Sequence, residues 1–502
     1  MSSARPTREA GPGKVSSGIP GLDDVLDGGF PAQRVHLIEG TPGTGKTTIG
    51  LRFLLDGVAR GEPVLYITLS ETIDELRAVV ESHGWSLDGV VLHELAPDEG
   101  ILKPDEQYTI LHPAEVELGE TTWAVLEEVE RAKPTRVVFD SLAELRLLAR
   151  DQLRYRRQIL ALKQFFAGRH CTVLLLDGTE PSEAGLESIA HSVLRLEQLA
   201  PDYGAERRRL KVLKLRGGTY RSGFHDFAIR TGGITVFPRL VAADHLSDDD
   251  DGVLSSGLPE LDHLLGGGLP RGTSALLLGP AGVGKSVIAT QYAVAAAERG
   301  ESATVYTFDE TASTAHRRAC SLGIDLASAV ASGRVTMRQL DPGHLSPGEF
   351  NHLVQRAVEV DTARLIVIDS LNGYLNAMAE ERAVIVQLHE LLTYLGQQGV
   401  VTLITVAQHG LIGDNAVAPI DASYIADTVL LLRYFESHGE LRQAISAVKK
   451  RVGGHERSIR ELRIGPGIRV GEPLRGFQGV LGRSPTFVGL QESLFGDAPN
   501  GG

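Results

Sequence analysis

Gly40-Thr-Pro-Gly-Thr-Gly-Lys46-Thr47 and Gly279-Pro-Ala-Gly-Val-Gly-Lys285-Ser286 both spell G-x-x-x-x-G-K-[ST]. Each follows an apolar run that reads as a strand, Val35 to Ile38 and Ala275 to Leu278, and opens a helical stretch, Ile49 to Val58 and Val287 to Ala297. Strand, glycine loop and helix together are the context a phosphate loop needs. The glycines let main-chain N–H groups close on phosphate oxygens, and the helix N-terminus adds its positive end. Candidate nucleotide contacts are therefore Gly40, Thr41, Gly43, Thr44, Gly45, Lys46, Thr47 and Thr48 in the first copy. In the second they are Gly279, Gly282, Val283, Gly284, Lys285, Ser286 and Val287. Lys46 and Lys285 suit the β- and γ-phosphates, and the Thr47 and Ser286 hydroxyls suit Mg²⁺. One such match can be a chance glycine turn; two at equivalent places in a repeat cannot.

The repeat extends well beyond the loops. Ser17-Gly-Ile-Pro-Gly-Leu-Asp23 returns as Ser256-Gly-Leu-Pro-Glu-Leu-Asp262, and Gly28-Gly-Phe-Pro31 as Gly267-Gly-Leu-Pro270. Glu71 returns as Glu310, Asp140-Ser-Leu142 as Asp369-Ser-Leu371, and Lys214-Leu-Arg216 as Lys449-Lys-Arg451. Short β-branched runs such as Val64–Thr68, Arg136–Phe139 and Thr172–Leu176 alternate with helical patterns, and Thr304–Phe308, Leu365–Ile368 and Val401–Thr405 are their counterparts. Continuous apolar strands are buried on both faces, which predicts a mostly parallel sheet flanked by helices. The expectation is α/β, with two tandem P-loop domains at 15–243 and 253–470. A polar tail covers 1–14, an acidic linker 244–252 and a Gly- and Pro-rich tail 471–502. Pro97 to Glu120, rich in acids, reads as an insertion or long surface loop.

Asp140 and Asp369 end their strands and are candidate Mg²⁺ acids, as carboxylates in that place generally are. Hydrolysis also needs a group to handle water. Glu71, and the pair Asp309 and Glu310, stand just past the strand that follows the P-loop helix, at the sheet's carboxyl edge, where the γ-phosphate belongs. Lys214 with Arg216, and Lys449 with Arg451, are distant in sequence from the loops. They read either as exposed basic strand or as fingers reaching a neighbouring subunit's γ-phosphate.

The formal charge of −14 over 502 residues opposes a protein whose main work is neutralising a nucleic-acid backbone. Cys171 and Cys320 read as small buried apolar residues in a reducing compartment. With neither a signal-peptide pattern at the start nor an apolar run of membrane-spanning length, the expected location is the cytoplasm, with no membrane contact.

These motifs, with Gly476-Phe-Gln-Gly-Val-Leu481, resemble the KaiC family of tandem ATPases and autokinases of the circadian clock over nearly the whole chain. The resemblance implies ATP and Mg²⁺ held between protomers of a hexameric double ring. It implies slow ATPase in the first ring, autophosphorylation in the second, and regulatory partners at the carboxyl tail. The family carries twin glutamates after the second strand; here Ser70-Glu71 and Asp309-Glu310 stand there. Ile420-Asp-Ala-Ser423-Tyr424-Ile-Ala-Asp427-Thr428 matches the family's phosphosite segment, with Tyr424 replacing the usual threonine. Ser423 and Tyr424 are thus the phosphosite candidates.

A DNA recombinase or ring helicase is the rival within the fold class, but it needs cations in the loops after the fourth strand. Asp177 to Glu187 and Gly410 to Tyr424 contain no Lys or Arg. The other rival is an ATP-gated scaffold without catalysis, which uses the same loops.

Overall fold

The computed structural model describes residues 13–95, 113–149, 151–178, 186–200, 204–245, 252–341, 343–376, 381–408, 425–437, 439–478, 480 and 486–487. The chain forms two compact units, residues 1–239 and 240–502, and each is an α/β fold built on one nine-stranded sheet. The nine-stranded sheet of the first runs, in spatial order, Gly233–Phe237, Phe224–Arg230, Arg207–Leu215, Ser192–Leu199, Val35–Glu39, Thr172–Asp177, Arg136–Asp140, Val64–Thr68 and Val90–Glu94. From Ser192–Leu199 to Val90–Glu94 all neighbours are parallel. The other three strands extend that edge as an antiparallel meander. The nine-stranded sheet of the second unit repeats the order as Gly467–Pro473, Arg460–Gly465, Glu440–Lys450, Thr428–Ser437, Ser274–Gly279, Val401–Ala407, Ala363–Asp369, Ser302–Thr307 and Val335–Gln339.

The apolar strand runs are continuous because both faces are covered. Leu65, Ile67, Val137 and Phe139 pack on one side with Tyr155, Ile159 and Phe166 of the helix Gln152–Ala167. Tyr66, Val138 and Leu174 pack on the other with Ile49 and Phe53 of the helix Lys46–Ala59. Arg136 departs from this pattern. Only 1% exposed, it binds the Glu62 carboxylate (2.6 Å) and donates to the carbonyls of Ser16 (3.0 Å) and Phe53 (2.8 Å). Leu365 occupies the same place before Asp369 in the second unit, an apolar residue in an apolar core.

The repeated opening motif is structural. Asp23 accepts from the Ser16 hydroxyl (2.7 Å) and the Ser17 N–H (2.8 Å), closing the turn that enters the unit. Asp262 likewise accepts from the Ser256 N–H (2.8 Å) and the Ser255 hydroxyl. A buried acid that satisfies a turn in this way needs no catalytic reason to recur.

Three expectations about layout need correction. Residues Pro113 to Glu120 are not loop but the start of a helix, Pro113–Ala132. Leu240 and Ala242, placed in the first domain by composition, lie in the core of the second unit, where the Glu390 carboxylate accepts the Ala242 N–H (3.3 Å). At the other end the strand Gly467–Pro473 carries the sheet past residue 470, and Phe477 and Val480 pack with Phe435. Of the two thiols, Cys171 is buried and Cys320 is exposed on the helix Ala312–Ser321.

Candidate functional site

Both phosphate loops leave the carboxyl end of a central strand and run straight into a fourteen-residue helix, Lys46–Ala59 or Lys285–Glu298. Gly45 (φ 97°) and Gly284 (φ 107°) precede these helices in the left-handed region. A Cβ there would lie 2.5 Å from Ile229 Cδ1 or 2.0 Å from Ile464 Cδ1, so sterics as well as conformation demand glycine. Thr44 closes its own loop by donating to the Thr41 carbonyl (2.8 Å). Thr48, Val283 and Val287 are buried, the valines in the core, so the main chain is the part of each that a phosphate could use.

Each loop lysine folds back over its loop. Lys46 Nζ donates to the carbonyls of Gly40 (2.7 Å) and Thr41 (3.0 Å), and Lys285 Nζ to those of Gly279 (2.9 Å) and Pro280 (2.6 Å). Burial lowers the pKa of both, and the Asp140, Asp177 and Glu71 carboxylates partly offset this at Lys46. Lys285, with Asp369 as the opposing charge, is brought down to about 8. A triphosphate beside it favours the charged form again, so binding takes up a proton as pH rises through 8. Affinity of the second unit for ATP is therefore expected to fall about tenfold between pH 7 and pH 9. Titration of a fluorescent ATP analogue into the Lys46→Ala protein checks this; an affinity flat across that range counts against it.

The two acids sit where the sequence puts them, at the strand ends beside the loops. The Thr47 hydroxyl donates to Asp140 (2.9 Å), and Tyr66 donates its phenol to the same oxygen (2.7 Å). Burial and Asp140 push the Tyr66 phenol well above its usual range, so it stays a donor. In the second unit the tether is different: Asp369 accepts from Thr405. The positions that would mirror them, Val305 for Tyr66 and Leu176 for Thr405, are apolar. The sequence signal for both was a hydroxyl inside an otherwise apolar strand, Val64–Thr68 or Val401–Ala407, each of which carries a second hydroxyl residue, Thr68 or Thr402. A hydroxyl and a carboxylate side by side at the loop form a hard-oxygen pair that suits Mg²⁺ once phosphate oxygens complete the shell. Among the described residues no group of three or more His, Cys, Asp or Glu side chains could hold a metal unaided.

The next loop brings in the water-handling candidates. Leu69 N–H donates to the Asp140 carbonyl (2.7 Å) and Phe308 N–H to the Asp369 carbonyl (2.9 Å), fixing both loops against the acids. Glu71 is held by its main chain, with Thr68 accepting its N–H (3.1 Å) and donating to its carbonyl (2.7 Å). Its side-chain Oε2 is buried without a hydrogen-bond partner, and burial together with Asp140 and Glu75 raises its pKa against the pull of Lys46. The second unit is arranged otherwise. Asp309 accepts from the Ser370 hydroxyl (2.6 Å), while both Glu310 oxygens accept from Arg318 (2.6 and 2.5 Å).

Lys214 and Arg216 lie at the opposite end of the sheet from their own loop. Lys214 pairs with Val193, and the neighbouring Ser192 pairs with His36 near the start of the central strand. Roughly 10 Å of strand separates that level from Gly40. Lys214 donates to the carbonyls of Glu187 (2.5 Å) and Ala190 (2.7 Å), and Arg216 to that of Ser188 (3.2 Å). Lys449 pairs with Val429, itself opposite Leu276, and donates to the Ala426 carbonyl (2.8 Å); Arg451 pairs with Asp427 (3.2 Å). Ser423 and Tyr424 lie outside the described residues.

Two RecA-like units, each with a phosphate loop, an acid beside it and a carboxylate at the same edge, define a tandem P-loop ATPase. The chain belongs to the KaiC ATPase family, whose model matches residues 15–241 and 254–475. Circadian clock protein KaiC3 of Synechocystis sp. is 28% identical over 499 residues, covering 95% of this chain and 96% of the relative. The circadian clock oscillator protein KaiC of Synechococcus elongatus is 27% identical over 500 residues, and that of Thermostichus vulcanus 26% over 495, each covering 95% of this chain and 93% of the relative. Among the described residues no helix is long and apolar enough to cross a membrane.

Proposed function

We propose that this chain forms a cytoplasmic homo-oligomeric double ring of six protomers, with Mg-ATP bound between neighbours in both layers. The first layer hydrolyses ATP, and the second also transfers the γ-phosphate to Ser423. The chain is thus a regulatory ATPase and autokinase, with circadian timing as the setting its relatives' names suggest. The observation that carries this reading is the placement of Lys214, Arg216, Lys449 and Arg451 at the sheet end away from their own loops. A cation that cannot reach its own nucleotide can serve a neighbour's.

In each site Lys46 or Lys285 would leave its loop carbonyls for phosphate oxygens, and Thr47 with Asp140, or Ser286 with Asp369, would hold Mg²⁺. The ion supplies charge neutralisation at the phosphates when bound. Glu71 would orient and deprotonate water in the first unit. In the second, Asp309 and Glu310 are the carboxylates available to take a proton from water or from the Ser423 hydroxyl. Regulatory proteins would engage the carboxyl tail, and nucleic acid is not a partner.

Particle mass with and without Mg-ATP, followed by peptide mass mapping, tests the proposal. Expected are a larger particle with Mg-ATP and phosphate on Ser423. A mass indifferent to nucleotide would overturn the ring. An assembled, ATP-bound ring without phosphate on Ser423 or Tyr424 would favour the scaffold reading, for which the phenol at 424 in place of threonine is the specific argument.

A further inference from the structure

The two units treat equivalent glutamates in opposite ways. The helix after Glu71, Ile73–Ser82, and the helix after Glu310, Ala312–Ser321, match residue for residue, each with a threonine N-cap. Arg318 of the second helix donates to both Glu310 oxygens. The first helix has Val79 in that place, packed against the core, and the Glu71 carboxylate keeps a buried oxygen without a partner. The Glu310–Arg318 pair is largely shielded, with side chains 20% and 28% exposed. Both contacts come from the one Nη1, and charge-assisted bonds to both oxygens hold the carboxylate's direction as well as its charge.

We propose that Arg318 is a positioning residue that latches Glu310 out of ATP hydrolysis in the second unit and leaves the proton transfer there to Asp309. This rests on the reading that Asp309 and Glu310 are the carboxylates facing the γ-phosphate. In the hydrolytic step the water oxygen bonds to the γ-phosphorus as the bond to the β–γ bridging oxygen breaks. ADP leaves with that electron pair, and the water proton passes to a carboxylate. A carboxylate whose two oxygens both face a guanidinium can take that proton only by giving up the pair. Asp309, fixed by one hydroxyl at one oxygen, keeps the other for water. The latch thus leaves the second unit one proton acceptor where it carries two carboxylates, which slows attack by water and favours keeping its γ-phosphate for transfer to a side chain.

The test installs the first unit's residue in the second. In full-length Glu71→Gln protein, where the first unit is silenced, phosphate release reports the second. Arg318→Val is expected to raise that rate about tenfold or more. The gain should vanish in Arg318→Val/Glu310→Gln and fail to appear in Arg318→Lys, which keeps the cation. The rate should also acquire a new acid limb, since a freed Glu310 must be ionised to act; a purely structural role would not add one. Nucleotide affinity and melting temperature verify that the variants fold. An unchanged rate in Arg318→Val, or a gain that survives Glu310→Gln, overturns the latch. Asp309→Asn tests the underlying reading separately: undiminished turnover there removes Asp309 from the chemistry while the Arg318 comparison still reports on Glu310.

Discussion

Glu71→Gln protein is expected to keep ATP on its first unit and to hydrolyse it there about 10²- to 10⁴-fold more slowly. The substitution preserves shape and removes only the capacity to take a proton. Glu71 is anchored through its main chain to Thr68, so the loop should not move when the side chain changes. Its buried Oε2 has no protein partner to lose, and its raised pKa already marks a carboxylate poised near a proton. That shift has a direction in pH. The base must be ionised, so the rate falls as pH drops through a value above the usual carboxylate range, and Glu71→Gln erases that limb. Measured with the second unit disabled by Lys285→Ala, a turnover equal to the parent's would remove Glu71 from the mechanism.

The second large effect concerns a residue pair far from its own nucleotide. Lys214→Ala/Arg216→Ala should cost on the order of 10³-fold in first-unit hydrolysis, the scale of a cation lost from a phosphoryl-transfer site. Because Lys214 stands roughly 10 Å of strand below Gly40 and Arg216 farther still, the loss should be curable from outside. Chains lacking the pair retain Glu71; Glu71→Gln chains retain the pair. Each population alone is slow, but co-assembled they place an intact finger beside an intact Glu71, and part of the activity returns. The pair also ties down the carbonyls of the helix Leu186–Ile189, so a structural loss is the competing account. A mixture as slow as its components would support that account and remove the trans role.

Much of this was legible in the sequence because the phosphate loop is a local object. Glycine spacing, a preceding apolar strand and a following helix are all read within a dozen residues, and the repeat vouches for each copy. Residues that act through long-range pairing were harder. Tyr66 and Thr405 look like ordinary strand residues until the sheet brings them to Asp140 and Asp369. Arg136 sat inside a run read as apolar, and its pairing with Glu62 and Asp56 and its bonds to the Ser16 and Phe53 carbonyls explain it. Arg318 is eight residues from Glu310 on an exposed-looking helix, and the sequence does not say which way its side chain turns. The antiparallel meander was missed because amphipathic edge strands lack the apolar runs that betray central ones.

Leu240 and Ala242 carry a practical consequence for anyone wishing to study the second unit by itself. The helix Glu381–Gln397 receives this stretch along its length: Glu390 takes the Ala242 N–H, and Tyr394 stacks edge-on against His245 at 5.0 Å. A fragment begun at residue 253, after the acidic run, would strip that cover and lay bare an apolar strip on a helix meant to be clothed. Such a fragment would be sticky and prone to self-association for reasons unrelated to ring formation. One begun before Leu240 would bring its own wrapping.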